Sequence, residues 1–172
     1  MKIQDLFGYN WFARREFLNS IAEIPWATVT ESRGASFDCI RNIFVHSLQA
    51  EQYWIRLLSG KSVAGIWETS FTKFADLQAI RAYADEVEAE TTYYLMTLSD
   101  ERLNAVFDVT RRDGTVEQHR VEDILLHVIE EEIHHRGELL CLYWQRDIQP
   151  PYTSYMAYKQ HTASELTRQR SR

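Results

Sequence analysis

No stretch of the chain approaches the ~18 consecutive apolar residues that a membrane-spanning helix needs, so no membrane association is expected. The N-terminal MKIQDLFGYNWF carries neither the apolar core nor the cleavage site of a signal peptide, which sets the expectation of a soluble, cytoplasmic protein. Cysteine is scarce. Cys39 and Cys141 lie far apart, each in an apolar, helix-like segment, and read as free buried thiols of a reduced compartment rather than a disulfide. Basic residues are outnumbered, 19 against 25 acidic for a net charge of −6, and they are scattered except for Lys159, Arg168, Arg170 and Arg172, a solvated end. A nucleic-acid partner, which calls for a basic stripe, is therefore not expected. A Walker A loop, a dinucleotide glycine fingerprint, a G-x-S-x-G elbow, CxxC pairs and internal repeats are all missing.

What is there is helical periodicity. At 172 residues the chain is long enough to bury a core without disulfides, and it reads as one domain over residues 1–172 with residues ~160–172 loosely ordered. The first helix is predicted over residues 2–23, where Leu6, Phe7, Trp11, Phe17 and Ile21 recur at helical intervals until Pro25 stops it. The second is predicted over 36–58 with Ser36 as N-cap, and the third over 74–98 with Asp76 or Thr72 as cap. Residues 102–120 change character. Alternation around Arg112-Asp113-Gly114 predicts a short β-hairpin, Asp-Gly being a strong turn signal. A fourth helix follows over 121–145. Pro150 and Pro151 then end regular structure, with Tyr152, Tyr155, Met156 and Tyr158 packing back. The fold class is all-α: a four-helix bundle with a short β-hairpin inserted before the last helix.

Chemistry concentrates in the fourth helix, in the run HVIEEEIHHRGE from His127 to Glu138. His127, Glu131 and His135 stand at four-residue steps on one helical face. At ~100° per residue with Glu131 at zero, His135 falls near 40°, among Ile124, Val128, Leu139 and Leu142 at roughly 20–80°. His127 and His134 fall near −40° and −60°, on the flank, and His127 joins only if the helix is rotated. Glu132 lies near 100°, inside the apolar sector, where an i,i+4 pair with Arg136 would neutralise it; Glu131 ranks ahead of it as a ligand. On the second helix His46 shares a stripe with Cys39, Ile43, Ala50, Tyr53 and Leu57. A histidine there is either hydrogen-bonded in the core or bound to something. His46, Glu131 and His135 together offer two imidazoles and a carboxylate to one divalent metal (Zn, Ni, Mn or Fe) with a position left open. Cys39, one heptad before His46, reads as a structural thiol, and His119 and His161 as solvated singles.

These residues also carry a resemblance. Tyr9-Asn10-Trp11, His46 with Glu51-Gln52-Tyr53-Trp54, His127 through Gly137, Leu142-Tyr143-Trp144-Gln145 and Ile148-Gln149-Pro150-Pro151-Tyr152 together resemble the DinB-like family, small metal-binding four-helix bundles that include bacterial thiol-dependent S-transferases. The resemblance covers nearly the whole chain. It implies a divalent metal, often nickel or zinc, held by one histidine of the second helix and two of the fourth, at positions that fall here on His46, residue 131 and His135. Residue 131 is glutamate where many members have histidine, which keeps a ligand but changes its charge and softness.

Two functions follow as expectations. In the first, a metal-dependent enzyme binds and deprotonates a low-molecular-weight thiol or water, which attacks a small-molecule electrophile. In the second, the cluster is structural or regulatory in a non-catalytic, stress-response protein. A homodimer through long helices is expected in either case.

Overall fold

The computed structural model describes residues 2–111 and 113–170. In chain order its elements are α1 (Ile3–Ile21), α2 (Trp26–Val29), α3 (Ile40–Leu58), α4 (Leu77–Met96), α5 (Asp100–Asn104), β1 (Val106–Thr110), β2 (Val116–Arg120), α6 (Val121–Trp144) and α7 (Tyr155–Arg170). The four long helices α1, α3, α4 and α6 form the bundle, and the antiparallel β1–β2 pair precedes the last of them.

Local chemistry explains most boundaries. Asp76 caps α4 by accepting from the Ala79 amide at 2.8 Å. The hairpin turns where expected: Gly114 adopts φ 85°, and Asp113 accepts from the Thr115 amide and hydroxyl. Arg112, read as part of this turn, lies outside the described residues, as do Met1, Ser171 and Arg172. Residues 102–104, which fall in the segment where the pattern changes, belong to the short helix α5, capped by Ser99.

Several expectations change. The second long helix begins at Ile40, not Ser36, because residues 35–38 form a tight turn with Asp38 at φ 77°. Ser36 does not cap that helix; its hydroxyl donates to Glu138 at 2.7 Å. Regular structure does not end at Pro150-Pro151, since α7 restarts at Tyr155 and docks on α1. Asp5 accepts from the Tyr155 hydroxyl (2.7 Å), the Tyr158 hydroxyl (3.3 Å) and Lys159 Nζ (3.0 Å). Tyr158 runs so close to α1 that a Cβ at Gly8 would meet its hydroxyl at 2.6 Å. Tyr152 and Met156, expected to pack back, are exposed instead. Cys39 is buried as expected, whereas Cys141 faces solvent; both thiols are free.

Among the described residues the interior gathers in two apolar clusters. One gathers Phe17, Ile43, Leu48, Val87, Leu139 and Tyr143; the other gathers Phe7, Ile55, Tyr94, Leu125, Val128 and Ile129. Between them every long helix contributes a buried polar side chain: Arg14 from α1, Glu51 from α3, Thr91 from α4 and Glu132 from α6. One Arg14 nitrogen donates to both Glu51 and Glu132, the latter at 2.5 Å. Glu51 also accepts from Thr91 (2.6 Å) and the Trp11 indole (3.3 Å). Burial alone would lower the Arg14 pKa, but Glu132 and Glu51 outweigh it and hold the guanidinium charged. The expected Glu132–Arg136 pair is thus replaced by Arg14. Arg136 stacks its guanidinium over the Tyr9 ring at 4.7 Å.

Candidate metal centre

The pairing of Glu132 with Arg14 fixes how α6 is rotated, and the residues on either side inherit that rotation. Glu131 stands at the edge of the buried face and His135, one turn on, lies inside it with only 7% of its side chain exposed. Facing them across the α3–α6 contact is His46. The His46 and His135 rings lie 4.9 Å apart between centroids, nearly perpendicular at 84°. One ligand atom from each of His46, Glu131 and His135 can be chosen so that all three lie within 4.8 Å of one another.

The surroundings orient these groups. His135 Nδ1 is 2.8 Å from Glu138 Oε2; a carboxylate only accepts, so Nδ1 donates there, which leaves Nε2 as the nitrogen that could face a metal. Nε2 is the nitrogen facing Glu131, 3.4 Å from Oε2. Glu138 is itself held by Ser36. Burial works to raise the Glu138 pKa, but the bonds from His135 and Ser36 outweigh it and keep the carboxyl ionised. A carboxylate behind a ligating imidazole raises the basicity of the ring.

His46 is held differently. Phe37 stacks on its ring at 3.7 Å between centroids, and Trp67 lies at 5.5 Å, with Tyr53 beyond it. Among the described residues no side chain hydrogen-bonds this ring. Burial first, then the neighbouring His135, pushes its pKa down to about 4, so His46 is neutral near pH 7 with a lone pair free to donate. Two neutral-capable imidazoles and a half-buried carboxylate fit a borderline divalent cation.

The other sequence candidates separate from this cluster. Glu132 turns into the bundle toward Arg14. His127 is exposed, its ring edge-on to Trp54 at 5.6 Å, and His134 is exposed against His135. Cys39 joins no ligand cluster among the described residues. His119 is not a solvated single, since it lies 3.0 Å from Glu117, and His161 packs on Phe12 at 5.4 Å. Sequence reasoning gave no role at this site to Ser36, Phe37, Trp67 or Glu138. Only Glu138 carries a local signal, a carboxylate three residues beyond a ligand-type histidine; the others arrive from loops.

Beside this site, between Tyr53, Trp54 and Trp67 on one side and Val109 and Arg111 on the other, opens a cleft of about 520 Å³. Its tryptophan and tyrosine walls continue the aromatic contacts that reach His46.

Comparison with known proteins agrees with this architecture. The chain is 25% identical over 142 residues to an uncharacterized Bacillus subtilis (strain 168) protein, YizA, covering 83% of this chain and 85% of that one. It is 22% identical over 168 residues to protein DinB of the same organism, covering 93% and 95%. Among solved structures, a DinB-like protein from Bacillus cereus ATCC 10987 superposes with a TM-score of 0.68 at 13% identity, over 88% of this chain and 95% of that one. A DinB-like protein from Bacillus subtilis gives 0.60 at 15%, over 88% and 97%. The family model of the DinB family matches residues 1–170, and the chain belongs to that family.

Proposed function

We propose that this chain is a divalent-metal-dependent enzyme that activates a low-molecular-weight thiol for attack on a small electrophile, an S-transferase reaction. The observation that carries the reading is the convergence of His46, Glu131 and His135 from two helices, with ligand atoms within 4.8 Å of one another. A divalent metal held there would lower the pKa of a bound thiol or water and so supply a nucleophile at neutral pH.

The chain's own residues do the remainder. Glu138, anchored by Ser36, keeps the His135 proton on Nδ1 and the Nε2 lone pair directed at the site. Phe37 and Trp67 pack against the His46 ring and shield it from water, which preserves its neutral form. Three protein ligands leave room for a substrate atom, the pattern of a catalytic rather than a structural site. The aromatic cleft beside it would receive the electrophile, flat apolar surfaces being suited to tryptophan and tyrosine walls.

The test uses protein stripped with chelator and reloaded with Zn²⁺, Ni²⁺ or Mn²⁺, assayed with a small thiol and an electrophile panel. Reloading should restore turnover, and His46→Ala should abolish turnover together with the tight metal binding that depends on this cluster. Metal binding with a large gain in thermal stability, and no turnover with any thiol, would instead establish the non-catalytic reading.

A further inference from the structure

Glu131 is the one carboxylate of the inner cluster, and a second group of donors stands beside it on α6. His127, Glu130 and Glu131 occupy a single turn of α6 at i, i+3 and i+4, and one ligand atom from each lies within 4.8 Å of the others. His127 Nδ1 is 3.7 Å from Glu130 Oε2. We infer that these three residues form an outer divalent-cation site that shares the Glu131 carboxylate with the inner one. The inference rests on the metal reading of the inner cluster only through that shared group.

The division of labour follows from ligand chemistry. An imidazole presents one nitrogen to a given cation while the other points away, so neither His46 nor His135 serves two ions at once. A carboxylate has two oxygens and bridges readily. In proteins, paired cations bridged in this way sit ~3.5–4 Å apart. Glu131 directs Oε2 toward His135, and its side chain is 26% exposed, between the buried inner ligands and the solvent-facing His127 and Glu130. The edge-on contact with Trp54 restrains the His127 ring. The adjoining cleft of about 320 Å³ is lined by Asp123, Glu117, His119 and Arg111; Arg111 pairs with Glu117 at 2.7 Å, which leaves Asp123 as the carboxylate of that cleft beside His127.

One imidazole and two carboxylates suit Zn²⁺ or Mn²⁺. The exposure of His127 and Glu130 means the ion keeps part of its water shell, so the outer site is the weaker of the two. It brings a second positive charge next to the inner centre, where a thiolate or an anionic electrophile would meet it.

Metal content distinguishes the two readings. Chelator-treated protein is dialysed to equilibrium against Zn²⁺ or Mn²⁺ and bound metal is counted by mass spectrometry. Wild type should hold two equivalents and His127→Ala one, the tighter step shifting by less than the ~10-fold that loss of a supporting group produces. His46→Ala should remove the tighter step and spare the weaker. With Mn²⁺, wild type should show the broadened paramagnetic resonance spectrum of a coupled pair, and His127→Ala the spectrum of an isolated ion. Wild type saturating at one equivalent, lost in His46→Ala, overturns the outer site and leaves the inner one standing. No bound metal overturns both. A second equivalent that survives His127→Ala, or two equivalents without coupling, also overturns the shared site. His127 is exposed, and unchanged circular dichroism would show that the variant folds.

Discussion

Arg14 and Glu132, 118 residues apart in the chain, meet at 2.5 Å in the middle of the bundle. Because Glu132 and Glu131 are neighbours on one helix, drawing the first into the core leaves the second at the rim facing α3, beside His46. The buried ion pair therefore positions the metal-ligand candidates without touching them.

Arg14→Met would leave Glu51 and Glu132 as uncompensated buried carboxylates. Breaking a buried pair from one side costs about 3–5 kcal/mol. Urea unfolding should show a loss of that size. The surviving fold should also bind Zn²⁺ more weakly than wild type as α6 loses its anchor.

The metal-free His46 ring should titrate near pH 4 rather than near 6.5, and an NMR titration with His46→Ala as the assignment control would measure it. The sign follows from linkage: between these values the unfolded chain takes up the proton while the folded one resists. The contribution of His46 to stability is thus complete above about pH 6.5 and is lost as pH falls toward 4. Thermal melts at pH 7, 5.5 and 4.5 should fall more steeply for wild type than for His46→Phe.

Glu138→Gln keeps the shape of the partner behind His135 but removes its charge. Loss of such a supporting carboxylate lowers metal affinity about 10–100-fold. Ser36→Ala, one step further out, should cost less. Competition titration against a chelator of known affinity ranks the two.

Asp5→Asn tests the docking of α7. It removes the negative charge that holds Tyr155, Tyr158 and Lys159 on α1. Hydrogen exchange should speed up in α7 by roughly 10-fold, the equivalent of one charge-assisted bond of about 1.5 kcal/mol, while α3 and α6 stay protected. Equal acceleration everywhere would count against a locally docked helix.

The bundle was legible because apolar spacing at 3.6 residues marks each long helix, and the angular placement of α6 came out correctly. Glu131 at the rim, His135 inside, and His127 and His134 outside all follow from ~100° per residue. Glu132 was also placed correctly in the apolar sector, yet its partner was read as Arg136. Spacing along one helix shows only neighbours on that helix, and Arg14 comes from another. The start of α3 was misread at Ser36 for a similar reason: a serine before an apolar run looks like a cap until a distant acceptor, Glu138, claims its hydroxyl. The α7 segment escaped notice because its inner stripe is polar and aromatic, matched to Asp5 and Tyr9 rather than to an apolar seam.

The polar layer between the two apolar clusters has a consequence for assembly of the bundle. Sliding α6 by one turn against α1 would bring Arg136 into the place of Glu132 and set cation against cation at Arg14. Greasy surfaces alone would tolerate such slippage. A guanidinium with two carboxylates to satisfy does not, so the slipped register carries an electrostatic penalty and the native one sets the imidazoles of α3 and α6 at the same height.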